Sequence, residues 1–247
     1  MTRRRWIADE VSINKDRAIL TGPHADHLAR VLRARIGQEF DVVANGALRR
    51  GRISAVAESR VEFELGETIP DSSVVPITVA ISIFKFDRME WAIEKCTELG
   101  VARIVPVIAH QTESHLAAAA VKRVERWQRI VRQAAEQSRR NSPPEISLPV
   151  KLKEAIALPG STRVVLNETE QEQTLKDAVA SLSHATDLSP ASKDAMVLAF
   201  GPEGGWTEAE LELFQQGGWL SASLGKTILR AETAAIAAVA VVVAELQ

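Results

Sequence analysis

The sequence predicts an α/β protein in two parts, a small antiparallel β unit followed by a larger unit with a parallel sheet. Three observations predict this. Residues 38–66 alternate apolar and polar positions around an Asn45–Gly46 turn. Residues 67–76 then gather Pro70, Asp71, Ser72, Ser73 and Pro76, which discourage regular structure and mark a linker. From residue 77 onward, β-branched apolar runs alternate with helical periods.

In the first part, Phe40 and Val42 lead into Asn45–Gly46, a strong hairpin signal. Ile53 and Val56 follow, and Val61, Phe63 and Leu65 alternate with Glu62 and Glu64, a strand with one wet face. Several short strands in about seventy residues suggest a small barrel. Residues 24–34 interrupt them as a short helix, with Leu28, Val31 and Leu32 on one side and Arg30 and Arg33 more exposed. The expected boundaries are 1–71 for this unit and 76–247 for the second.

In the second part, residues 77–84 read as a strand, and Asp87 with Glu90 as a capping box. The helix that follows carries Met89, Ile93, Cys96 and Leu99 on one face and ends at Gly100. Residues 103–108 form the next strand. Residues 119–140 form a long helix with Val124, Trp127, Val131, Ala134 and Ser138 on one side and a basic opposite side, stopped by Pro143–Pro144. Strand 163–166, helix 175–182, a polar loop at 185–194 and strand 195–200 follow. Thr207 with Glu210 is a second capping box. Strand 219–224 precedes an Ala/Val-rich helix that starts near Ala231.

Across 247 residues, 46% hydrophobic and 25% charged content describe a soluble globular chain. The net charge of −2 conceals two basic islands. Residues 1–52 hold eleven Lys/Arg against six Asp/Glu, and residues 117–140 hold seven against two. Localised positive charge on a slightly acidic protein points to a polyanion surface, or else to solvated helix and strand faces. A single cysteine, Cys96, rules out an internal disulfide framework and fits a reducing cytoplasm. The start MTRRRW lacks the apolar segment of a signal peptide. The apolar run 233–244 falls short of the ~18 residues that span a membrane. His24 and His27 are three apart, yet no cysteine or second ligand pair accompanies them, so no metal site is expected.

Two tight loops carry the functional signal, GPEGG at 201–205 and LGKTILR at 224–230. Leu224-Gly-Lys-Thr227 ends like a phosphate loop, but that motif needs glycine at 220, where Leu220 stands. No G-x-G-x-x-G opens the first βα turn, so a dinucleotide fold is also disfavoured. A pocket at the carboxyl ends of the parallel strands is left, where Gly201, Gly204 and Gly205 let backbone approach a ligand and Pro202 fixes the turn. A strand-to-helix turn without ligand is the bland alternative.

The ordered set HADHLARVLR, FDRMEWAIEKCTELGVARIVPV, RWQRIVRQAAEQSRR, LAFGPEGGWTEAE and LGKTILRAETAAIAA closely resembles the bacterial 16S rRNA uridine-N3 methyltransferases of the SPOUT superfamily, over nearly the whole chain. The resemblance implies a PUA-like RNA-binding barrel, then an α/β SPOUT methyltransferase domain with a C-terminal trefoil knot. It implies a cytoplasmic homodimer that acts on 16S rRNA of the small ribosomal subunit with S-adenosylmethionine as methyl donor and without metal. It places the cofactor among three loops: Leu166, Asn167 and Glu168; Gly201, Pro202, Glu203, Gly204 and Gly205; and Leu224, Gly225, Ile228, Leu229 and Arg230.

Methylating uracil N3 requires loss of its proton and support for charge spreading onto O2 and O4. Arg230 is the expected anion stabiliser, or the partner of an ion pair with Glu232. Glu203 and Glu232 are the candidate bases, each with a structural alternative. Arg4, Arg30, Arg33, Arg88, Arg132, Arg139 and Arg140 are the expected RNA contacts. Trp91 and Trp127 read as core or interface residues, and Trp206 as packing. A knotted methyltransferase acting on tRNA, a non-catalytic RNA-binding assembly factor and a phosphate-loop NTPase are the rival readings.

Overall fold

The computed structural model describes residues 5–8, 10–11, 16–45, 47–69, 75–183 and 196–246. The chain divides into two compact units: Met1–Ser73 with Ala135–Pro143, and Val74–Ala134 with Pro144–Gln247. Residues 184–195, which include the polar loop expected at 185–194, and residues 70–74 of the linker lie outside the described residues.

In the first unit, strands β1 (Arg5–Ile7), β2 (Glu10–Val11), β3 (Arg17–Thr21), β4 (Glu39–Ala44), β5 (Ala47–Ala57) and β6 (Arg60–Ile69) form one sheet in the order β1-β4-β5-β6-β3-β2. Every pair is antiparallel except β1 with β4. Ala44 faces Ala47 across the expected hairpin, with Asn45 at φ 51°, the left-handed conformation that Asn tolerates. Gly46 lies outside the described residues. Val61, Phe63 and Leu65 are buried among Leu20, Val42 and Ile53, as the alternation requires.

The helical insert is α1 (Gly22–Asp26) followed by one π-helical turn, His27–Val31, closed by Leu32 N donating to His27 O. A π turn spends more residues per revolution than an α turn, so a three-residue step no longer returns to the same face. Leu28 is therefore buried as expected, whereas Val31 is 66% exposed.

In the second unit, β7 (Val75–Ser82), β8 (Val101–Ile108), β9 (Glu145–Ile146), β10 (Val150–Lys151), β11 (Thr162–Leu166), β12 (Met196–Phe200) and β13 (Leu220–Ala222) pair in parallel throughout. Their order is β10-β8-β7-β12-β11-β13, with β9 alongside β8. The helices are α2 (Phe86–Glu98), α3 (Ser114–Gln137), α4 (Leu152–Ile156), α5 (Leu175–Ser183), α6 (Glu208–Gln216) and α7 (Ala231–Leu246). Successive strand residues feed opposite faces of the sheet. Ile77, Val79, Ile81, Met196, Leu198 and Phe200 join one core with residues of α2, α3, α5 and α7. Ala80, Val197 and Ala199 join another with Trp206, Phe214 and Trp219. Apolar cover on both faces is what an all-parallel sheet demands, and it explains the continuous apolar run of β12.

Two local expectations fail. No capping box forms at Asp87 and Glu90: α2 begins two residues earlier, with Lys85 as N-cap and no side-chain cap. Glu90 is instead held by Arg126 Nε at 2.8 Å and Arg123 Nη1 at 3.4 Å. The long helix also ends before Pro143–Pro144. Arg139 adopts φ 62°, Arg140 N donates to Ala135 O at 2.9 Å, and Arg139 N donates to Glu136 O. This left-handed cap satisfies the last carbonyls of the helix. It also turns Arg140 inward, to 2% exposure, which removes Arg140 from the expected set of surface cations. The box at Thr207 and Glu210 does form.

Cys96 is buried, and loss of hydration pushes its thiol up to about 12. The folded state thus keeps a proton that the unfolded chain releases above the ordinary value of 9.0, so this group withdraws stability as pH rises from there towards 12. At neutral pH the native protein should resist iodoacetamide while the urea-unfolded chain reacts at one site. Rapid native labelling would contradict the packing described for α2.

Candidate active site

The site forms where β11, β12 and β13 end. Asn167 N donates to Ala222 O, Leu175 N donates to Ser223 O, and Ser223 N donates to Gln173 O. These bonds tie the loop after β11 to the loop after β13. Trp206 Nε1 donates to Leu166 O at 3.2 Å, so the indole packs beneath the turn rather than facing a ligand.

The glycine turn is shaped by what glycine lacks. A Cβ on Gly201 would meet the backbone of Gly205 and Trp206 at 3.2–3.3 Å, so the turn closes on itself there. Gly205 has φ 72°, and a Cβ on it would run into the Glu168 carboxylate. The first and second loops are thus in contact. Gly204 is exposed, and the Gln111 side chain lies against it. Behind the turn, the buried Glu210 accepts from Thr207 N at 2.9 Å and from His110 N at 2.8 Å, fixing the loop after β8 to the start of α6.

A cavity of about 270 Å³ opens among these loops, lined by Gly201, Pro202, Glu203 and Gly205, by Ile228, Leu229 and Arg230, and by Glu168, Arg88 and Ala231. A second space of about 60 Å³ lies beside Leu166, Asn167, Leu224, Gly225 and Thr227 and shares Glu168 and Leu229 with the first. Of the sequence-expected ligand residues, Gly204 alone lines neither space; the Gln111 side chain lies against it. Arg88, Thr227 and Ala231 line them without having been assigned there. Arg88 begins a helix some hundred residues earlier, and only the pairing of β7 with β12 brings it in.

Charged groups divide by burial. Arg230 is exposed and has no ion pair among the described residues. Glu232 does not pair with it. The buried Glu232 stands behind the cavity wall, its Oε1 3.8 Å from Arg88 Nε and its Oε2 without a hydrogen-bond donor among the described residues. Glu203 Oε1 accepts from Lys85 N at 3.4 Å, a long bond that links the glycine turn to the start of α2.

Elsewhere, Arg30 is paired with Asp26 and Glu58, Arg33 is exposed at φ 49°, Arg132 is half-buried and Arg139 is exposed. Arg4 lies outside the described residues. His24 Nε2 lies 3.2 Å from Glu136 Oε2, and Trp6 packs by its ring edge on His24. Among the described residues, no three His, Cys, Asp or Glu side chains are grouped to hold a metal ion, and no helix is long and apolar enough to cross a membrane.

Open backbone at tight glycines, apolar Ile228 and Leu229, and a few polar groups fit a small ligand with a flat apolar part and a polar end. A family model described as an RNA methyltransferase domain matches residues 70–243, so the class of protein is an RNA methyltransferase. A ribosomal RNA small subunit methyltransferase E from Synechocystis is 36% identical over 227 residues, 90% of this chain and 71% of that protein. One of the same name from Bacillus subtilis is 29% identical over 228 residues, 90% of this chain and 88% of its own. The crystal structure of a third, from Neisseria gonorrhoeae and bound to S-adenosylmethionine, superposes with a TM-score of 0.79 at 30% identity, covering 97% of this chain and 96% of that one. A Legionella pneumophila protein solved with the same cofactor matches at 27% identity and TM-score 0.79, over 99% and 98% of the two chains. The chain belongs to the ribosomal RNA small subunit methyltransferase E family.

Gly205→Ala should lower stability by about 1–3 kcal/mol, since it adds a clash with Glu168 to a left-handed backbone. Gly225, at φ 111° with open space around it, tests strain alone: Gly225→Ala should cost less than Gly205→Ala in thermal unfolding. Equal losses would mean that Glu168 does not bear on the turn.

Proposed function

We propose that this chain methylates small-subunit ribosomal RNA with S-adenosylmethionine, and that the atom modified is N3 of a uridine in 16S rRNA. The observation that carries this reading is the three-loop cavity, whose residues correspond to those expected to hold the cofactor, with Arg230 at its wall. Family membership and the cofactor-bound relative support it. A non-catalytic assembly factor has no need of the intact glycine turn or of an exposed Arg230 that has no ion pair among the described residues.

Bound S-adenosylmethionine supplies an electrophilic methyl group. The chain's residues do the rest. Main-chain groups of Gly201, Pro202 and Gly205 and of Leu224, Gly225 and Leu229 would hold and orient the donor beside Ile228 and Leu229. Arg230, permanently charged, faces the negative charge that grows on the pyrimidine oxygens as the N3 proton leaves. Glu203, exposed and only weakly held by Lys85 N, is the carboxylate placed to accept that proton directly or through water. Glu232 is screened from the cavity by Arg88, which excludes it as a base in this arrangement.

Three further readings belong to this proposal. The sheet of the first unit is a PUA-like barrel that carries RNA, with Arg30, Arg33 and Arg139 as phosphate contacts; the domains are 1–71 and 76–247, in a cytoplasmic protein. The segment from β11 to α7 is threaded as a trefoil knot, a reading supported by the interlaced bonds of the 167–175 and 222–223 loops. The molecule is a homodimer. α7 buries Ala235, Ala238, Val239 and Val242 on the core, while Ile236, Ala237 and Ala240 line an apolar groove of about 430 Å³ with Trp91 and Leu99. A helix apolar all round needs a partner on its second face.

The deciding experiment is labelled methyl transfer to 30S subunits, free 16S rRNA and tRNA from cells lacking the enzyme, with nucleoside mapping of the product. Label is expected in 16S rRNA as 3-methyluridine, and label confined to tRNA would overturn the reading. Arg230→Ala should lower kcat by about a hundredfold or more and change cofactor affinity little. Normal turnover in that variant would remove Arg230 from the chemistry.

A further inference from the structure

We infer that Arg88 contacts the target base itself, and that Glu232 is the residue that positions it. The inference rests on the reading above, that a pyrimidine is methylated at N3.

Arg88 and Arg230 line the same cavity but arrive from opposite sides of the sequence. Arg88 comes from the first turn of α2, and Arg230 is the residue before α7. A guanidinium meant only for the RNA backbone has no reason to line the cavity among the three loops. Nor has it reason to be set against a buried carboxylate. Arg88 is both, with its side chain 34% exposed and its Nε within ion-pair range of Glu232 Oε1.

The chemistry of Glu232 explains the arrangement. A carboxylate taken out of water needs a cation or donors. Among the described residues Glu232 Oε2 has no donor, and Arg88 is the cation paired with its Oε1. At 3.8 Å the pair is held by charge and has not closed into a hydrogen bond. Glu232 therefore fixes one edge of the guanidinium through Nε. Among the described residues the terminal nitrogens have no ion-pair partner, which leaves their four N–H groups to a ligand.

That supply matches what the reaction needs. N3 lies between two carbonyls. When its N–H bond breaks and the proton passes to base or water, the charge left behind is shared by O2 and O4. The N3 lone pair then forms the bond to the methyl carbon, the carbon–sulfur bond breaks, and its electron pair stays on sulfur. The sulfonium becomes a neutral thioether, so atoms and charge balance. Two separated oxygens carry the transient charge, and two guanidiniums line the cavity. Arg230 alone serves one of them. Arg88 is then a base-contacting catalytic residue, and Glu232 a positioning residue.

The test uses the full-length protein with S-adenosylmethionine and small subunits lacking the modification. Arg88→Ala should lower kcat by about a hundredfold, with the subunit KM and the calorimetric cofactor Kd changed by no more than about threefold. Its rate should keep climbing with pH where the wild-type rate levels off, because the unassisted anion needs a stronger base. Added guanidinium should restore part of the lost rate. Arg88→Lys, which keeps charge but loses the fork, should lose less. Glu232→Gln should lose about tenfold in kcat and shift the pH profile the same way. A raised subunit KM with unchanged kcat would make Arg88 a phosphate contact and overturn the inference. A cofactor Kd weakened about tenfold would make it a cofactor clamp and overturn it equally. Nucleoside analysis of the wild-type product decides the N3 reading by itself, so a failure there is told apart from a failure of Arg88. Should Arg88→Ala not fold, the kcat and pH profile of Arg88→Lys carry the same decision.

Discussion

The placement of β12 between β7 and β11 is the constraint on which the site depends. Met196–Phe200 pairs in register with Ile77–Ile81 on one side and with residues 162–165 on the other. All five of its residues are buried, so it can sit only in the middle of the sheet. The glycine turn that follows is thereby delivered between the start of α2 and the loop after β11. Lys85 N reaches Glu203, and Glu168 lies on Gly205, because of that placement. The edge strand β13 then pairs with β11 and returns residues 224–230 to the same end. Open parallel sheets present ligands at the carboxyl ends of their strands, and this one brings three loops to a single such point.

Packing against both faces sets how firmly the loops are held. On one face, Trp206, Phe214 and Trp219 stack edge to face at 4.9–5.0 Å, and Trp206 spends its N–H on Leu166. On the other, α7 lies on Phe200, Leu198 and Val79 within the larger core. The turn is thus clamped from below by aromatic rings, while its main chain remains open above. Buried carboxylates extend the clamp. Glu210 satisfies the start of α6 and a distant backbone N–H together, and Glu232 holds a guanidinium. The acidic residues nearest the chemistry thus differ in task according to depth. Glu203 is exposed and weakly bonded, Glu210 is fully engaged in structure, and Glu232 is buried behind an arginine.

Much of this was legible in the sequence because it depends on local periods. The alternation of Val61, Phe63 and Leu65, the helical face of Met89, Ile93 and Cys96, the box at Thr207 and Glu210, and the parallel character of the second sheet each follow from patterns within a dozen residues. The failures are equally local, but depend on competition. Asp87 and Glu90 have the spacing of a cap, yet two arginines of α3 claim Glu90, and charge-assisted bonds outweigh a cap on an exposed turn. Val31 has the spacing of a buried residue, yet a π turn carries it outward. Arg140 belongs to a basic run, yet a left-handed residue just before it turns it into the interior.

By itself, then, the sequence determined the class of the longer strands and helices, the glycine turn and the family, because periodicity, turn chemistry and ordered motifs are carried by neighbouring residues, whereas the short strands β1, β2, β9 and β10 and the short helix α4 carry too few residues to show a period. Only the tertiary structure decided that Arg88 joins Arg230 at one cavity, that Gln111 stands over Gly204, and that Glu232 answers Arg88 rather than Arg230. Those relations join residues about a hundred or more positions apart. They exist because parallel strands from distant parts of the chain are hydrogen-bonded side by side, and no local pattern encodes which strands those will be.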